Sequence, residues 1–388
     1  MRRKRGIKLN KRVLFIASVA KKHILQFHIP YMKWFKEQGY TVDVCAGNDF
    51  DPGEKVKIPY CDNYYAVPFY RSPFAVKNIS SYRAVKRLAK ENSYDLIHCH
   101  TPIAAAIARF ALRKKHKKDG LTVLYTAHGF HFYKGAPKIY KLYYLAEKFL
   151  VPYTDALITI NDEDYKIAQK ICSGKKCLPF LIPGIGAQLD KVSGNIGDRK
   201  ALRAKFKIPE EAFLIMSNSE INANKNVMLS VRAAASIPDV YMLVCGNGSK
   251  LEECKALAKQ LGADDRIIFA GYRYDAKTLL SAADAFIFPS RREGLGLAAI
   301  EAMAAGLPLI AAANRGTLEY AVDGVNALLY DPSDFLGFCG AIRRLSGDRE
   351  LCRVLGENGK RAAEKYDLPH AIDAMTAIYK QMLPTENK

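Results

Sequence analysis

A chain of 388 residues, 49% hydrophobic and 25% charged, has the composition of a folded protein and is too long for one small core, so two domains are expected. Its nine cysteines, scattered from Cys45 to Cys352, form neither a disulfide framework nor paired zinc-ligand spacings, which argues against a stapled secreted domain or a zinc ribbon. The net charge of +20 is lopsided: residues 1–180 hold 33 Lys and Arg against 14 Asp and Glu, and the remainder is nearly neutral. A basic first half suits an anionic membrane, a phosphate-bearing substrate or nucleic acid.

In chain order, the start Met1-Arg-Arg-Lys-Arg carries the charge of a signal peptide. The apolar run after it, Val13 to Ala20, is short and predicts a first strand instead. Strands are then expected at 12–17, 41–46, 64–68, 95–99, 121–127, 155–160 and 179–182, with helices at 27–38, 80–91, 102–115 and 138–150. Pro183 and three small residues within 181–190 mark an interdomain hinge. Beyond it, strands near 212–217, 240–245, 266–269, 284–288, 308–311 and 326–330 alternate with helices near 224–236, 250–261, 274–282, 296–305 and 333–346. The apolar stretch Gly294–Ala313 contains Glu301, Gly306 and Pro308, so it predicts a helix followed by a buried strand rather than a membrane span. This alternation predicts an α/β protein of two doubly wound, Rossmann-like domains with parallel sheets, facing a cleft at the carboxyl ends of their strands.

The segment with most chemistry is Pro289-Ser-Arg-Arg-Glu-Gly-Leu-Gly-Leu-Ala-Ala-Ile-Glu301. A strand runs into a turn bearing Gly294 and Gly296, then into a helix whose free N–H groups and positive end suit a diphosphate. Glu293 and Glu301 flank that anion site, where each could accept a hydroxyl hydrogen bond, one from a sugar and one from a ribose. Glu301 lies among Ala299, Ile300, Ala302 and Met303, a setting in which a carboxylate needs a partner.

This Glu-x7-Glu block, with Asn314-Arg-Gly-Thr317 and Asp323-Gly-Val-Asn-Ala-Leu-Leu-Tyr330, resembles the signature of retaining GT-B glycosyltransferases of the large family four. The resemblance covers nearly the whole chain. It implies that Glu293 contacts the donor sugar and Glu301 the nucleotide ribose, with Gly294, Leu295, Gly296 and Leu297 around the diphosphate. Lys225 matches the family's diphosphate-binding lysine. The arginine expected five residues earlier is Glu220 here, a departure for which Asn222 or Arg292 could compensate. In the loop Thr126-Ala-His-Gly-Phe-His131, His128 matches the histidine that faces the donor sugar, where a backbone carbonyl can help spread developing positive charge. Gly246 lies in a glycine turn after a strand, which suits backbone near a nucleotide and equally a plain turn, and Tyr272 and Arg273 fall where the family's uracil-side loop lies. His98 and His100 alternate on a strand end, but no acidic partner is adjacent and no metal ligand is assigned.

The resemblance further implies front-face substitution without a metal or other cofactor and a UDP-sugar donor such as a UDP-N-acetylhexosamine. The segments 18–36 and 127–137 resemble a subset that extends sugars on a polyprenyl diphosphate in bacterial exopolysaccharide, capsule or teichuronic-type synthesis. Expected boundaries are an acceptor- and membrane-facing domain over 1–185, a nucleotide-sugar domain over 186–365, and a helix over 366–388 packing back on the first. The expected location is cytoplasmic, peripheral on the inner face of the plasma membrane. Arg83, Lys86, Arg87, Lys90 and the run 113–118 would hold an anionic bilayer, with Tyr31, Trp34 and Phe35 as an amphipathic contact. Two other readings are a UDP-sugar epimerase of the same shape, which would have little use for a basic membrane-facing half, and a nucleic-acid binder, for which no helix-turn-helix, zinc or RNP pattern is present.

Overall fold

The computed structural model describes residues 11–383 except 71, 73, 119, 133–136, 194–197 and the side chains of 117, 118 and 193. The charged start, the end of the His128 loop at Lys134, and the side chains of Lys117 and Lys118 therefore lie outside the described residues.

Two wholly parallel sheets account for the described strands. The first contains β1 (Arg12–Val19), β2 (Thr41–Gly47), β3 (Asn63–Ala66), β4 (Leu96–His100), β5 (Thr122–Ala127), β6 (Ala156–Thr159) and β7 (Leu178–Leu181), in the order β3-β2-β1-β4-β5-β6-β7. The second contains β8 (Phe213–Asn218), β9 (Val240–Cys245), β10 (Ile267–Gly271), β11 (Ala285–Phe288), β12 (Leu309–Ala312) and β13 (Ala327–Tyr330), in the order β10-β9-β8-β11-β12-β13. Every predicted strand forms within a residue or two of its expected place. In each sheet the first strand of the series is central and the order reverses beside it, the doubly wound pattern.

The strand residues explain the burial. Val13 to Ala17 in β1 are fully enclosed, and β4, β5, β6, β11 and β12 are buried along their whole lengths. Strands covered on both faces read as continuous apolar runs rather than alternating ones, and parallel neighbours need helical crossovers between them. Those crossovers include the helices Asn78–Glu91, Pro102–Lys118 and Asp162–Cys172 in the first series and Val227–Ala235, Leu251–Gln260 and Leu297–Ala304 in the second. Asn161 caps one of them, its side chain accepting the Asp164 N–H at 2.8 Å, ahead of three acidic residues in the first turn.

One helix begins earlier than its sequence predicts. A π-helical turn at Ala20–Ile24 leads through Leu25–Phe27 into Ile29–Glu37. Asp49, at the exit of β2, accepts the Lys21 and Lys22 N–H groups at 2.6 and 3.0 Å and so caps this start from a distant part of the chain. Such a cap leaves no local signal.

The chain divides into two compact units, one continuing through Gly186 and resuming at Pro369, the other spanning Ala187–Leu368. Each has its own core. In the first, Tyr379 of the helix Leu368–Met382 is enclosed, its ring 4.6 Å from Phe35 and stacked on Trp34 at 5.6 Å, its hydroxyl 2.8 Å from His98 Nδ1. Tyr31 and Phe35 are likewise fully buried, which corrects the expectation that they touch a membrane. They point inward because the terminal helix covers the face that the local sequence leaves open.

Each unit also has a buried ionic pin. Arg109, fully enclosed, donates two bonds to Glu147 at 2.8 and 3.0 Å, and its guanidinium lies 4.2 Å from the centre of the Tyr125 ring. The pair ties the helix Pro102–Lys118 to the helix Lys141–Leu150. In the second unit Arg203 donates to Asp284 at 2.7 Å, and the same carboxylate oxygen accepts the Leu214 N–H at 2.7 Å at the start of β8. Among the described residues no helix is long and apolar enough to cross a membrane.

Losing one partner of a buried pair strands the other charge, so Glu147→Gln is expected to cost about 3–5 kcal/mol of stability. Arg109→Met with Glu147→Leu should cost less than the two single changes together, measured by urea unfolding. Strictly additive losses would show that the pair is not coupled.

Candidate active site

In the second unit the loops leaving β8 and β11 are laced together. Asn224 accepts the Arg291 N–H at 2.8 Å and donates its side-chain amide to the Arg292 carbonyl at 2.9 Å. Asn226 donates to the carbonyls of Pro289 and Pro332 at 3.3 and 2.8 Å. The Asn222 side chain accepts the Lys225 N–H at 2.9 Å, which turns the loop so that the lysine faces the other one. The result is a bond from Lys225 Nζ to Glu293 Oε1 of 2.6 Å, with both side chains largely enclosed.

Immediately beyond Glu293, Gly296 caps the helix Leu297–Ala304 with φ +98°, and no side chain caps that helix start. A Cβ at Gly296 would stand 2.9 Å from the Phe288 ring and 3.0 Å from the Tyr320 hydroxyl, so both the backbone sign and the space require glycine. Gly316 is equally constrained, since a Cβ there would meet the Glu293 carbonyl and the Leu295 nitrogen at 2.9 Å each. This close packing holds the backbone of 293–296 at the helix's positive end, where its first-turn N–H groups can receive an anion. Leu295 is buried, so only its main chain is available to a ligand. Glu301 has the partner its apolar setting requires: Lys277 Nζ at 2.8 Å.

The neighbouring strand ends complete this edge. Gly246, with φ +141°, has its Cβ position 1.9 Å from the Ser219 carbonyl, and its N–H donates to the Gly271 carbonyl at 2.7 Å. Glycine here lets the exit of β9 lie against the exit of β8. Tyr272 is exposed, whereas the Arg273 side chain is engaged with Asp275, Nε to Oδ1 being 2.7 Å. Arg273 thus reaches a ligand only by exchanging that carboxylate.

In the first unit His128 follows β5 and lies half-buried, its Nε2 3.4 Å from His100 Nδ1 at the end of β4. His131 points elsewhere, stacked on Tyr143 at 4.9 Å. His98 is satisfied at both nitrogens, by Tyr379 and by Thr126 Oγ1, each at 2.8 Å. His23 and His28 join His100 and His128, so that one ring nitrogen of each of these four lies within 4.8 Å of the others. Burial pushes the imidazoles down, His23 to about 4 and His98 to about 3, and holds His28, His100 and His128 well below their ordinary value. At neutral pH they are uncharged acceptors or ligands rather than acids.

Sequence reasoning named Lys225, Glu293, Glu301 and Gly296, which lie along one sheet edge, but not Lys277, Asn224 or Tyr320, whose roles depend on contacts across loops. For a metal, it weighed only His98 and His100 among the histidines. The spacing of His23 and His28 in one helical stretch was the available sign of further imidazoles, but nothing local joins them to β4 or β5.

Residues 12–161 match the family of glycosyl transferase 4-like proteins, and residues 198–362 match the glycosyl transferases of group 1. The chain is 38% identical over 386 residues to a Bacillus subtilis protein named as glycosyltransferase EpsD, covering 98% of this chain and 99% of that one. It is 24% identical over 330 residues to the Escherichia coli UDP-Gal:alpha-D-GlcNAc-diphosphoundecaprenol alpha-1,3-galactosyltransferase, covering 82% and 84% of the two chains. Among solved structures, Anabaena Alr3699/HepE in complex with UDP and glucose aligns with a TM-score of 0.77 at 18% identity, over 95% of this chain and 99% of that one, a likeness of fold.

Proposed function

We propose a reaction from the premise that this chain belongs to the group 1 glycosyltransferases of GT-B fold: transfer of a hexosyl or N-acetylhexosaminyl group from a UDP-sugar to a polyprenyl-diphosphate-linked acceptor, with retention, in bacterial surface polysaccharide synthesis. The observation that carries it is the Lys225–Glu293 pair at the uncapped start of the helix Leu297–Ala304. One ammonium and a set of backbone N–H groups there supply positive potential for a diphosphate, next to a carboxylate able to accept a sugar hydroxyl. The name of the Escherichia coli relative specifies a UDP-sugar and a lipid diphosphate acceptor, which supports both substrate classes.

In this reading the bond between the anomeric carbon and the diphosphate oxygen breaks as the acceptor oxygen bonds to the same face. The acceptor proton passes to the departing diphosphate. Lys225 and the helix start stabilise the negative charge that develops on the leaving group, the role of a preorganised oxyanion site. Glu293 orients the donor sugar and Glu301 takes the ribose. Because an ammonium and backbone dipoles neutralise the diphosphate, the reading assigns no metal to the transfer step.

The acceptor would be met at a membrane surface. On the helix Lys141–Leu150, Leu142, Leu145 and Phe149 are exposed at helical spacing, with Ile139 beside them and Lys138, Lys141 and Lys148 interleaved. Arg83, Lys86, Arg87 and Lys90 are exposed on the helix Asn78–Glu91. Apolar side chains ringed by cations suit insertion among anionic headgroups, each basic residue adding ~1 kcal/mol near such a surface. This helix replaces Tyr31 and Phe35 as the apolar contact.

Thermal unfolding with UDP, GDP, ADP and dTDP, each with EDTA, tests the donor site. UDP at 100 times its Kd is expected to add ~2.7 kcal/mol and raise the midpoint by a few degrees. No shift with any nucleotide would sink the reading. Glu293→Gln should lower turnover ~100-fold or more while changing UDP affinity far less; equal losses in both would remove the sugar-contact role. In co-sedimentation, anionic vesicles should retain the chain and neutral ones should not, and Leu145→Ser with Phe149→Ser should weaken retention. Retention undiminished in that variant would move the membrane contact elsewhere.

A further inference from the structure

The four histidines gathered in the first unit are not used by the donor site of the second. They come from three strand exits: His23 and His28 from the helical turn after β1, His100 from the end of β4, and His128 from just past β5. The His28 and His100 rings lie face to face with centroids 3.7 Å apart and planes 27° from parallel, and His23 meets His128 edge-on at 5.0 Å.

Two features separate this group from ordinary packed histidines. The first is unmet polarity. His23 Nε2, both nitrogens of His28, and His100 Nε2 are buried without a hydrogen-bond partner in the protein. Each such nitrogen gives up its hydration with nothing in return, and native interiors hold few of them. His98, two residues from His100 on the same strand, is fully partnered, so the deficit belongs to the cluster and not to the strand.

The second feature is geometry and ligand chemistry. Nitrogens bound to a tetrahedral zinc at ~2.0–2.1 Å stand ~3.4 Å from one another. His128 Nε2 and His100 Nδ1 already have that spacing, 3.4 Å, and one nitrogen from each of the four rings falls within 4.8 Å of the others; with Nδ1 of His100 on the ion, the orphan nitrogens it satisfies belong to His23 and His28. The set contains no carboxylate, which disfavours magnesium or calcium and favours a metal that accepts nitrogen.

We propose that His23, His28, His100 and His128 bind one divalent first-row transition metal, with zinc the best match, in a closed four-imidazole site. Rotation of the stacked His28 and His100 rings would bring their nitrogens to the ion. Four protein ligands leave no open position, so the ion is structural. It ties the turn after β1 to the ends of β4 and β5 and fixes the loop that carries His128. This assignment does not rest on the donor site in the other unit.

The full-length chain, stripped by chelation and titrated with Co²⁺, tests it. Visible d–d absorption of four-coordinate cobalt should saturate at about one equivalent and be displaced by Zn²⁺. It should be lost in the chain carrying His23→Gln and His28→Gln. Circular dichroism and a cooperative thermal transition in the same samples report whether the chain is folded, and UDP binding is read separately, so a failed metal site is distinguished from a failed donor site. A folded intact chain without a saturable band overturns the proposal. So does a band unchanged in the double variant, or a near-ultraviolet charge-transfer band, which would place the cobalt on cysteine thiolates.

Discussion

Parallel strand pairing is the constraint on which the rest of this molecule depends. When every strand in a sheet runs the same way, every loop that leaves a carboxyl end emerges along one edge, whatever its distance in sequence. In the second unit that edge holds the exits of β8, β9, β10 and β11, and with them Lys225, Gly246, Tyr272, Glu293 and Gly296. In the first unit it gathers the exits of β1, β4 and β5, and thereby His23, His28, His100 and His128. Both groups of functional side chains are consequences of one hydrogen-bonding geometry.

The charged pairs divide into two kinds by enclosure. Arg109–Glu147 and Arg203–Asp284 have deeply buried guanidinium groups that bind carboxylates and, in Arg203, several backbone carbonyls, so the first anchors helix to helix and the second helix to sheet. Lys225–Glu293 and Lys277–Glu301 are single ammonium–carboxylate contacts with partly exposed lysines. A lysine is a compact charge on a flexible stem and can exchange a carboxylate for a phosphate oxygen, whereas an enclosed, multiply bonded arginine cannot leave its site. The rigid pins lie within the body of each unit and the exchangeable pairs at the edge, which is the distribution a donor-binding enzyme needs.

Glycine has a similarly specific use. At Gly246, Gly296 and Gly316 the backbone passes so close to a carbonyl, an aromatic ring or another loop that a methyl group would collide. Side chains are absent where, in the proposed reading, the main chain is offered to the diphosphate. The aromatic packing of Tyr379 against Trp34 and Phe35 works in the opposite sense, turning residues from an amphipathic helix into core and leaving the exposed apolar face to Leu142, Leu145 and Phe149.

The amino-acid sequence by itself determined the thirteen described strands, the parallel α/β class and the segment bearing Glu293 and Glu301. These depend on short-range properties: runs of β-branched residues, helical periodicity, glycine turns and a spacing within one strand–turn–helix unit. The basic first half was equally plain, because charge needs only counting. Tertiary structure alone decided which side chains meet. Lys225 faces Glu293 across 68 positions because the β8 and β11 exits are laced by Asn224 and Asn226. Glu301 finds Lys277, Asp49 caps a helix 28 residues before it, and Tyr31 and Phe35 turn inward under a helix from the far end of the chain. The four imidazoles were invisible as a group for the same reason. Hydrophobic patterning specifies the elements locally, whereas pairing between loops depends on strand order and crossover, which are settled only when the whole sheet closes on its core.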